Sequence, residues 1–526
     1  MKIRNIFFFI AAVGFLASCK KFDDYKENNN QPVNVPPSLI LRGIESDMAY
    51  HPFDQTERNN QYTCANYVYY DDNTYWSGSA TLNYGTINNV VSMEDAATKA
   101  AGTSNNPYNA LGKFFRAYFF YNMTMKVGDL PMNEALQRLG NQTPKYDDQK
   151  AIFQQIFVWL DSSNTQLADM ITNGFLEFSG DFYFKEKISG GLSSRDALIA
   201  WQKVVNSFRL RVLIELSKHD GEADLNVPGQ FKDIVGNPTK YPIMTSMDDN
   251  LQYVWNSTYN YYPNNNQNYG NDATRYNSCA MYLNTLASLK DLRAMRVAEP
   301  ARGLGFPDVD FRSFVGAPSG QDLSNMASDV QRGLISLIGR HRYYETLTGE
   351  NTFLVSYPEM CLNIAEASNR GWLTGVNTEE WYKKGITAMF EFFGIEDGAN
   401  TVTFQKAGGM LGDDITYNVT FNYADYFNQA AVKYAGDNAS GLNQILIQKY
   451  LAYARNSGLQ AYYQWRRTGI PAFSEGPGVG NSGVIPARYQ YPVNERSANE
   501  QNYNDAVTRQ FGAAGDDIFQ PLWIVK

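Results

Sequence analysis

Leu111, Phe114, Phe115, Tyr118 and Phe119 recur at i, i+3, i+4, i+7 and i+8, which puts five apolar side chains on one face of a helix and demands a second surface to cover them. This face is predicted to begin near Pro107 and to end at Lys126-Val127-Gly128-Asp129-Leu130-Pro131, where Gly and Pro stop a helix and turn the chain. A second stripe, Ile152, Ile156, Trp159, Leu160 and Leu167, lies between Asp147-Asp148 and Gly174. The two aspartates suit the positive N-terminal end of that helix. Further helices are expected at Ala197 to Ser217, Tyr357 to Arg370, Glu379 to Phe393 and Gln444 to Arg455.

One such pair cannot bury its own apolar face, so consecutive pairs imply stacked helical hairpins of the tetratricopeptide sort. The expected fold class is mostly α: stacked tetratricopeptide-like helix pairs forming an α-superhelix, with long irregular inserted loops and little β structure. At 526 residues with 44% hydrophobic side chains, the chain can bury a full core. Between the pairs, Tyr62 to Asn89 and Trp255 to Tyr276 are rich in Tyr, Asn and Gly and lack a sustained helical period. Loops of that length inside a compact protein are usually functional.

The N-terminus carries an address. Lys2 and Arg4 precede an apolar run from Ile6 to Leu16 that is too short to span a bilayer, the pattern of an export signal. It closes with Leu16-Ala17-Ser18-Cys19, which resembles a bacterial lipobox. The expected organisation is a signal peptide at 1–18, a flexible tether at 19–38 lipidated on Cys19, and a single domain at 39–526. The tether, with Asn28-Asn29-Asn30 and Pro32, Pro36 and Pro37, would reach about 23 Å from the membrane. Of the other cysteines, Cys64, Cys279 and Cys361 are spaced too widely for a zinc knuckle and read as core thiols, a Cys64–Cys279 bridge being one of several open pairings.

Losing residues 1–18 removes two basic residues and no acid, which takes the formal charge from −9 to −11. Such a balance argues against nucleic acid as a partner. Catalytic signatures are missing as well. Asp71-Asp72, Asp248-Asp249, Asp413-Asp414 and Asp516-Asp517 are neighbours whose side chains do not face each other across a substrate, and they sit beside turn residues. His51, His219 and His341 are too scattered for a zinc helix, and no nucleophile elbow or phosphate loop occurs. Asp71, Asp72 and Asn73 do not have EF-hand spacing. No cofactor, metal or catalytic residue is assigned.

Several segments, in order, resemble a known family. Gly128-Asp129-Leu130-Pro131-Met132 is similar to its "GD-x-P-Y" turn, Trp201 through Arg211 to its "W-x-K-x-x-N-S-L-R-L-R" helix, and Gly316-Ala317-Pro318-Ser319-Gly320 to its "G-x-P-x-G" loop. Tyr357-Pro358-Glu359, Ala365-Glu366-Ala367 and Arg370-Gly371-Trp372 resemble its "Y-x-E … A-E-A … R-G-W" helix. Gln464 to Gly469 and Ile485 to Pro492 are also family-like, whereas Asp291-Leu292-Arg293 stands where "D-P-R" is usual and Trp523 where a Trp pair is common. The family is the SusD/RagB-type nutrient-binding outer-membrane lipoproteins of Bacteroidetes. The resemblance implies a non-catalytic, surface-exposed lipoprotein that captures an oligosaccharide or another nutrient oligomer and delivers it to a partner SusC-like TonB-dependent β-barrel transporter. A surface glycan hydrolase or an adhesin without a transporter is the alternative.

Within that frame Arg209, Arg211, Glu366 and Arg370 are expected to fix helix packing through buried ion pairs. Specificity is expected in the loops. Sugar rings offer apolar C–H faces and a hydroxyl rim, which flat aromatic rings and amides recognise together. The ligand-binding candidates are therefore Tyr75, Trp76, Tyr259, Tyr261, Tyr262, Asn264, Asn265, Asn266 and Tyr269.

Overall fold

The computed structural model describes residues 35–526 apart from 70, 138, 139, 175, 189, 455 and 456, and the side chains of 271 and 272 are likewise outside the description. Cys19 and the signal segment lie outside the described residues. The chain enters on helix α1 (Pro37–Ser46), whose start falls just inside the expected tether. It continues through α2 (Tyr84–Ala101), α3 (Pro107–Val127), α4 (Gln149–Asn173) and α5 (Ser194–Glu215). The C-terminal half adds α6 (Tyr357–Asn369), α7 (Thr378–Phe392), α8 (Ala439–Ala452), α9 (Gln460–Thr468) and α10 (Glu500–Phe511). The fold is the mostly helical one expected. Among the described residues no helix is long and apolar enough to cross a membrane.

Local chemistry sets the helix ends. Asn106 accepts from the Asn109 amide with Pro107 in the first turn, Asp148 accepts from the Ala151 amide, and Ser193 from the Asp196 amide. At the far end of α3, Gly128 holds φ at 93°, and a Cβ there would also strike the Gln510 amide. Asp129 next to it accepts from the Gln149 amide and pairs with Arg509. The Gly-Asp turn thus ties the end of α3 to the start of α4 and to the last turn of α10.

Helix α3 is buried around most of its girth, because α2, α4 and α5 all pack against it. The five residues of its stripe are buried, and so are Phe120 and Tyr121. Helices α6 and α7 form the corresponding pair in the second half, and α6 also packs on α5 and α8. The sixth predicted helix begins earlier than expected, at Ala439, since Asn438 caps the Ser440 and Gly441 amides. Likewise the last part of the Tyr62–Asn89 segment is helical, from Tyr84.

Charged side chains named by the sequence motifs join these pairs. Arg211 of α5 forms a doubly hydrogen-bonded ion pair with Glu359 of α6 and donates to the Leu354 carbonyl (2.6 Å). Glu366 of α6 receives Arg370 (2.9 Å), Lys449 of α8 (2.9 Å) and Arg467 of α9 (2.6 Å), and Arg467 also lies 3.4 Å from Glu215 of α5. Asp291 and Arg293 pair at 2.7 Å with both side chains inaccessible.

Strands are short and antiparallel: Thr63–Ala65 with Tyr276–Ser278, Leu251–Tyr253 with Thr352–Val355, and the hairpin Gly398–Gln405 with Asp414–Phe421. The first two pairings matter here, since the strand ends Tyr253 and Tyr276 anchor the segment between them. Cys64 and Cys279 are free thiols in the core, each hydrogen-bonded to the Ser319 hydroxyl, and Cys361 is buried too.

Candidate functional site

The segment between Tyr253 and Tyr276 is shaped by its own asparagines. Asn256 Oδ1 accepts from the amides of Thr258 (3.0 Å) and Tyr259 (3.1 Å), closing a turn that lifts Tyr259 outward. Asn265 Oδ1 accepts from the Gln267 amide, its Nδ2 donates to the Tyr262 carbonyl (2.7 Å), and Asn264 Nδ2 donates to the Tyr344 hydroxyl (3.1 Å). Both Asn264 and Asn265 are buried. Their amides are spent on folding the loop. Asn266 is exposed and donates to the Glu345 carbonyl (3.2 Å).

The aromatic candidates divide in the same way. Tyr262 is fully buried against Phe53, Trp255 and Tyr343, and its ring so fills the space at Gly349 that a Cβ there would lie 2.2 Å from it. Tyr75 is buried too; its hydroxyl donates to the Asn59 carbonyl (2.6 Å) and its ring meets Trp76 and Tyr462. The expectation of direct ligand contact is thereby corrected for Tyr75, Tyr262, Asn264 and Asn265, whose surfaces are consumed by packing. Half-buried Tyr269 donates to Gln405 Oε1 (2.7 Å) and sets its ring edge-on to Tyr344.

What remains accessible is a compact set. Tyr259 is 76% exposed and Tyr261 38%. Tyr259 borders a cavity of about 290 Å³ that is also lined by Arg42, Phe182, Tyr253, Asn256 and Asn260. Trp76 stands elsewhere, with one ring face stacked on Tyr489 (3.8 Å between centroids, 12° between planes) and Nε1 donating to the Arg488 carbonyl (2.8 Å). Tyr462 meets it edge-to-face (5.0 Å) and Tyr75 lies 5.6 Å away, so Trp76 is half-buried and offers a ligand only part of its surface.

The cavity partners Arg42, Phe182 and Tyr253 were missed because they come from α1, from the segment before α5 and from a strand, far apart in sequence. Asn256 and Asn260 lie inside the flagged segment, and their only sequence signal is proximity to Tyr259. Tyr489 belongs to the Ile485–Pro492 motif, which the sequence marks only as family-like.

Most carboxylates of the acidic doublets are engaged in turns and ion pairs. Asp71 pairs with Arg58, Asp72 accepts from the Thr74 amide, Asp249 pairs with Lys203 (2.8 Å), Asp413 accepts from the Met410 amide, Asp516 pairs with Arg488 (2.7 Å) and Asp517 accepts from the Phe519 amide. They are turn and ion-pair residues. Among the described residues His341, Glu345 and Asp414 converge closely enough to share a cation. They are linked through His341 Nδ1, 2.7 Å from Glu345 and 3.1 Å from Asp414, and burial together with Asp414 raises the Glu345 carboxyl.

A helical scaffold held by buried ion pairs, carrying a loop-built aromatic and amide surface, is the architecture of a binding protein. Solved structures share it. The chain is similar to a SusD homolog from Bacteroides fragilis (TM-score 0.78, 25% identity, 94% of this chain and 100% of that one) and to a second from the same species (TM-score 0.74, 27% identity, 94% and 100%). A chitin-binding SusD homolog from Flavobacterium johnsoniae shares the fold at 18% identity (TM-score 0.66, 92% and 98%). Residues 30–492 match the SusD-like family model described as starch-binding and associating with the outer membrane, and the chain belongs to that family. No curated protein matches it by sequence.

Proposed function

We propose that this chain is a surface-exposed lipoprotein, anchored through Cys19, that captures an oligosaccharide and delivers it without catalysis to a TonB-dependent β-barrel transporter in the outer membrane. The observation that carries the reading is that exposed Tyr259 borders a cavity, with exposed Tyr261 two residues on, on a loop held by strands at both ends. Aromatic rings at such a rim can stack on sugar C–H faces while nearby amides bond the hydroxyls. Membership of a family described as starch-binding supports a glycan, as does the chitin-binding relative, without fixing which glycan it is. The proposed contact set is Tyr259, Tyr261, Asn266 and the accessible part of Trp76.

Two measurements test this. Calorimetry against a panel of soluble oligosaccharides should find a ligand whose affinity falls when Tyr259 and Tyr261 are both changed to Ala; unchanged affinity sinks the site. Mild-detergent purification of the tagged protein from its outer membrane should bring down a β-barrel transporter in stoichiometric amount, and its absence across several detergents would favour an adhesin.

A further inference from the structure

The cavity beside Tyr259 is unevenly furnished with hydrogen-bonding groups. Its charged lining is Arg42, Glu186 and Lys187. Both oxygens of Glu186 are taken, Oε1 by the Gly180 amide (2.6 Å) and Oε2 by Arg42. Lys187 makes no ion pair among the described residues, so the lining has a net positive charge on a chain of formal charge −9. Asn256 adds a donor. Its Oδ1 is occupied by two backbone amides, which fixes the orientation of the side chain, and its Nδ2 is buried with no acceptor among the described residues. Buried amide donors are nearly always paired, so an unpaired one beside a cavity marks where an acceptor belongs. Phe182, Tyr253 and Tyr259 supply apolar walls.

Donors in excess, one uncompensated cation and aromatic walls select for an acceptor-rich anion carried on an apolar ring face. We propose that this cavity is a subsite for the carboxylate of a uronic-acid residue within the captured oligosaccharide. The inference rests on the glycan-capture reading above and specifies its ligand class. At about 290 Å³ the cavity suits one residue of an oligomer, at the lower end of small-molecule sites. The exposed Tyr259 ring at the rim favours a sugar over the free carboxyl terminus of a peptide, since it offers a stacking face for the adjoining C–H surface.

The test uses the full chain and calorimetry at neutral pH. The probes are oligosaccharides of galacturonate, of mannuronate and of hyaluronate, each beside the same oligosaccharide with its carboxyl groups reduced to alcohols. At least one acid form should bind about tenfold more tightly than its reduced partner, and the preference should shrink as salt is raised. Asn256→Asp keeps an oxygen for the Thr258 and Tyr259 amides while removing the donor and adding a like charge, and Lys187→Gln is a surface change. Each should cut the preference about fivefold and leave the reduced form within about twofold of its original affinity. Equal binding of acid and reduced forms overturns the subsite and leaves glycan capture standing. So does a preference that survives both substitutions, or tighter binding of a neutral acetamido glycan. Failure of every oligosaccharide, with binding of peptides that need a free carboxyl terminus, overturns both.

Discussion

Glu366 and Tyr259 mark the two kinds of surface this molecule contains. Glu366 is inaccessible and ringed by Arg370, Lys449 and Arg467; Tyr259 is mostly in solvent, held by its backbone amide on Asn256. Glu366 stands in a segment that resembles the family's motif, and Tyr259 in one that resembles nothing in particular. The motif residues do the work of assembly: Glu366 joins α6, α8 and α9, and Arg211 joins α5 to α6. On such a frame the outward residues of the loop, such as Tyr259 and Tyr261, can change freely, because little of the packing passes through them, whereas Tyr262, Asn264 and Asn265 are part of the packing.

The strongest way to break this contrast is at Glu366. Burial alone would push its carboxyl up, but Arg467, Lys449 and Arg370 outweigh burial and hold it well below the usual carboxylate range. Glu366→Gln keeps the volume and strands the surrounding cations, which should cost about 3–5 kcal/mol in urea denaturation. A loss under about 1 kcal/mol would mean that water reaches the cluster, and the frame would be softer than its geometry implies.

Buried carboxylates with fewer counter-charges give the opposite pH behaviour. Glu299 accepts from the backbone amides of Arg340 (2.9 Å) and Gln405 (3.2 Å), and burial pushes its carboxyl up to about 7. Asp129 is pushed up to about 6 by burial against the pull of Arg509. Below about pH 3 both carboxyls are protonated in both states. As pH rises toward 7 the unfolded chain ionises first, so it binds fewer protons and stability falls. For Glu299 the fall amounts to about 3 kcal/mol and is complete above pH 7. Urea midpoints at pH 5 and pH 8 should show it, and Glu299→Gln should remove most of its share. Glu366 contributes with the reverse sign: its stabilisation is present above the ordinary carboxylate range and lost as the pH falls through its depressed value.

At the loop, Tyr259→Ala with Tyr261→Ala should weaken glycan binding about tenfold to thirtyfold, while the urea midpoint stays within the equivalent of about 0.5 kcal/mol. A large loss of stability would place these rings in the frame and erase the distinction.

The sequence shows the frame more plainly than the site. The stripe from Leu111 to Phe119 is legible because helical periodicity is a local property, and the cap at Asp148 sits in the same short window as the stripe of α4 that it begins. The partner of Glu366 is less so. Arg370 is one turn away, whereas Lys449 and Arg467 arrive from other helices across a gap that no period reports. Composition picks out the Tyr–Asn loops but cannot say which rings face outward. Tyr261 and Tyr262 are adjacent, yet the first is exposed and the second fills the space beside Gly349. Irregular backbone has no period from which to read a buried face, and α1's contribution to the cavity through Arg42 is wholly non-local.

Tyr269 lies between the two regions and offers the smallest and sharpest discrimination. Its hydroxyl donates to Gln405 Oε1, an oxygen that Arg340 also reaches, and its ring edge meets Tyr344. Removing the hydroxyl leaves that acceptor still served by Arg340, so Tyr269→Phe should cost only about 0.5–1 kcal/mol. If Tyr269 belongs with the frame, that small loss will appear in the urea midpoint and glycan affinity will change less than about twofold. Should affinity fall while the midpoint stays fixed, the hydroxyl is reaching ligand rather than Gln405. The boundary between frame and site would then run through the middle of the loop, with Tyr269 on the side of Tyr259.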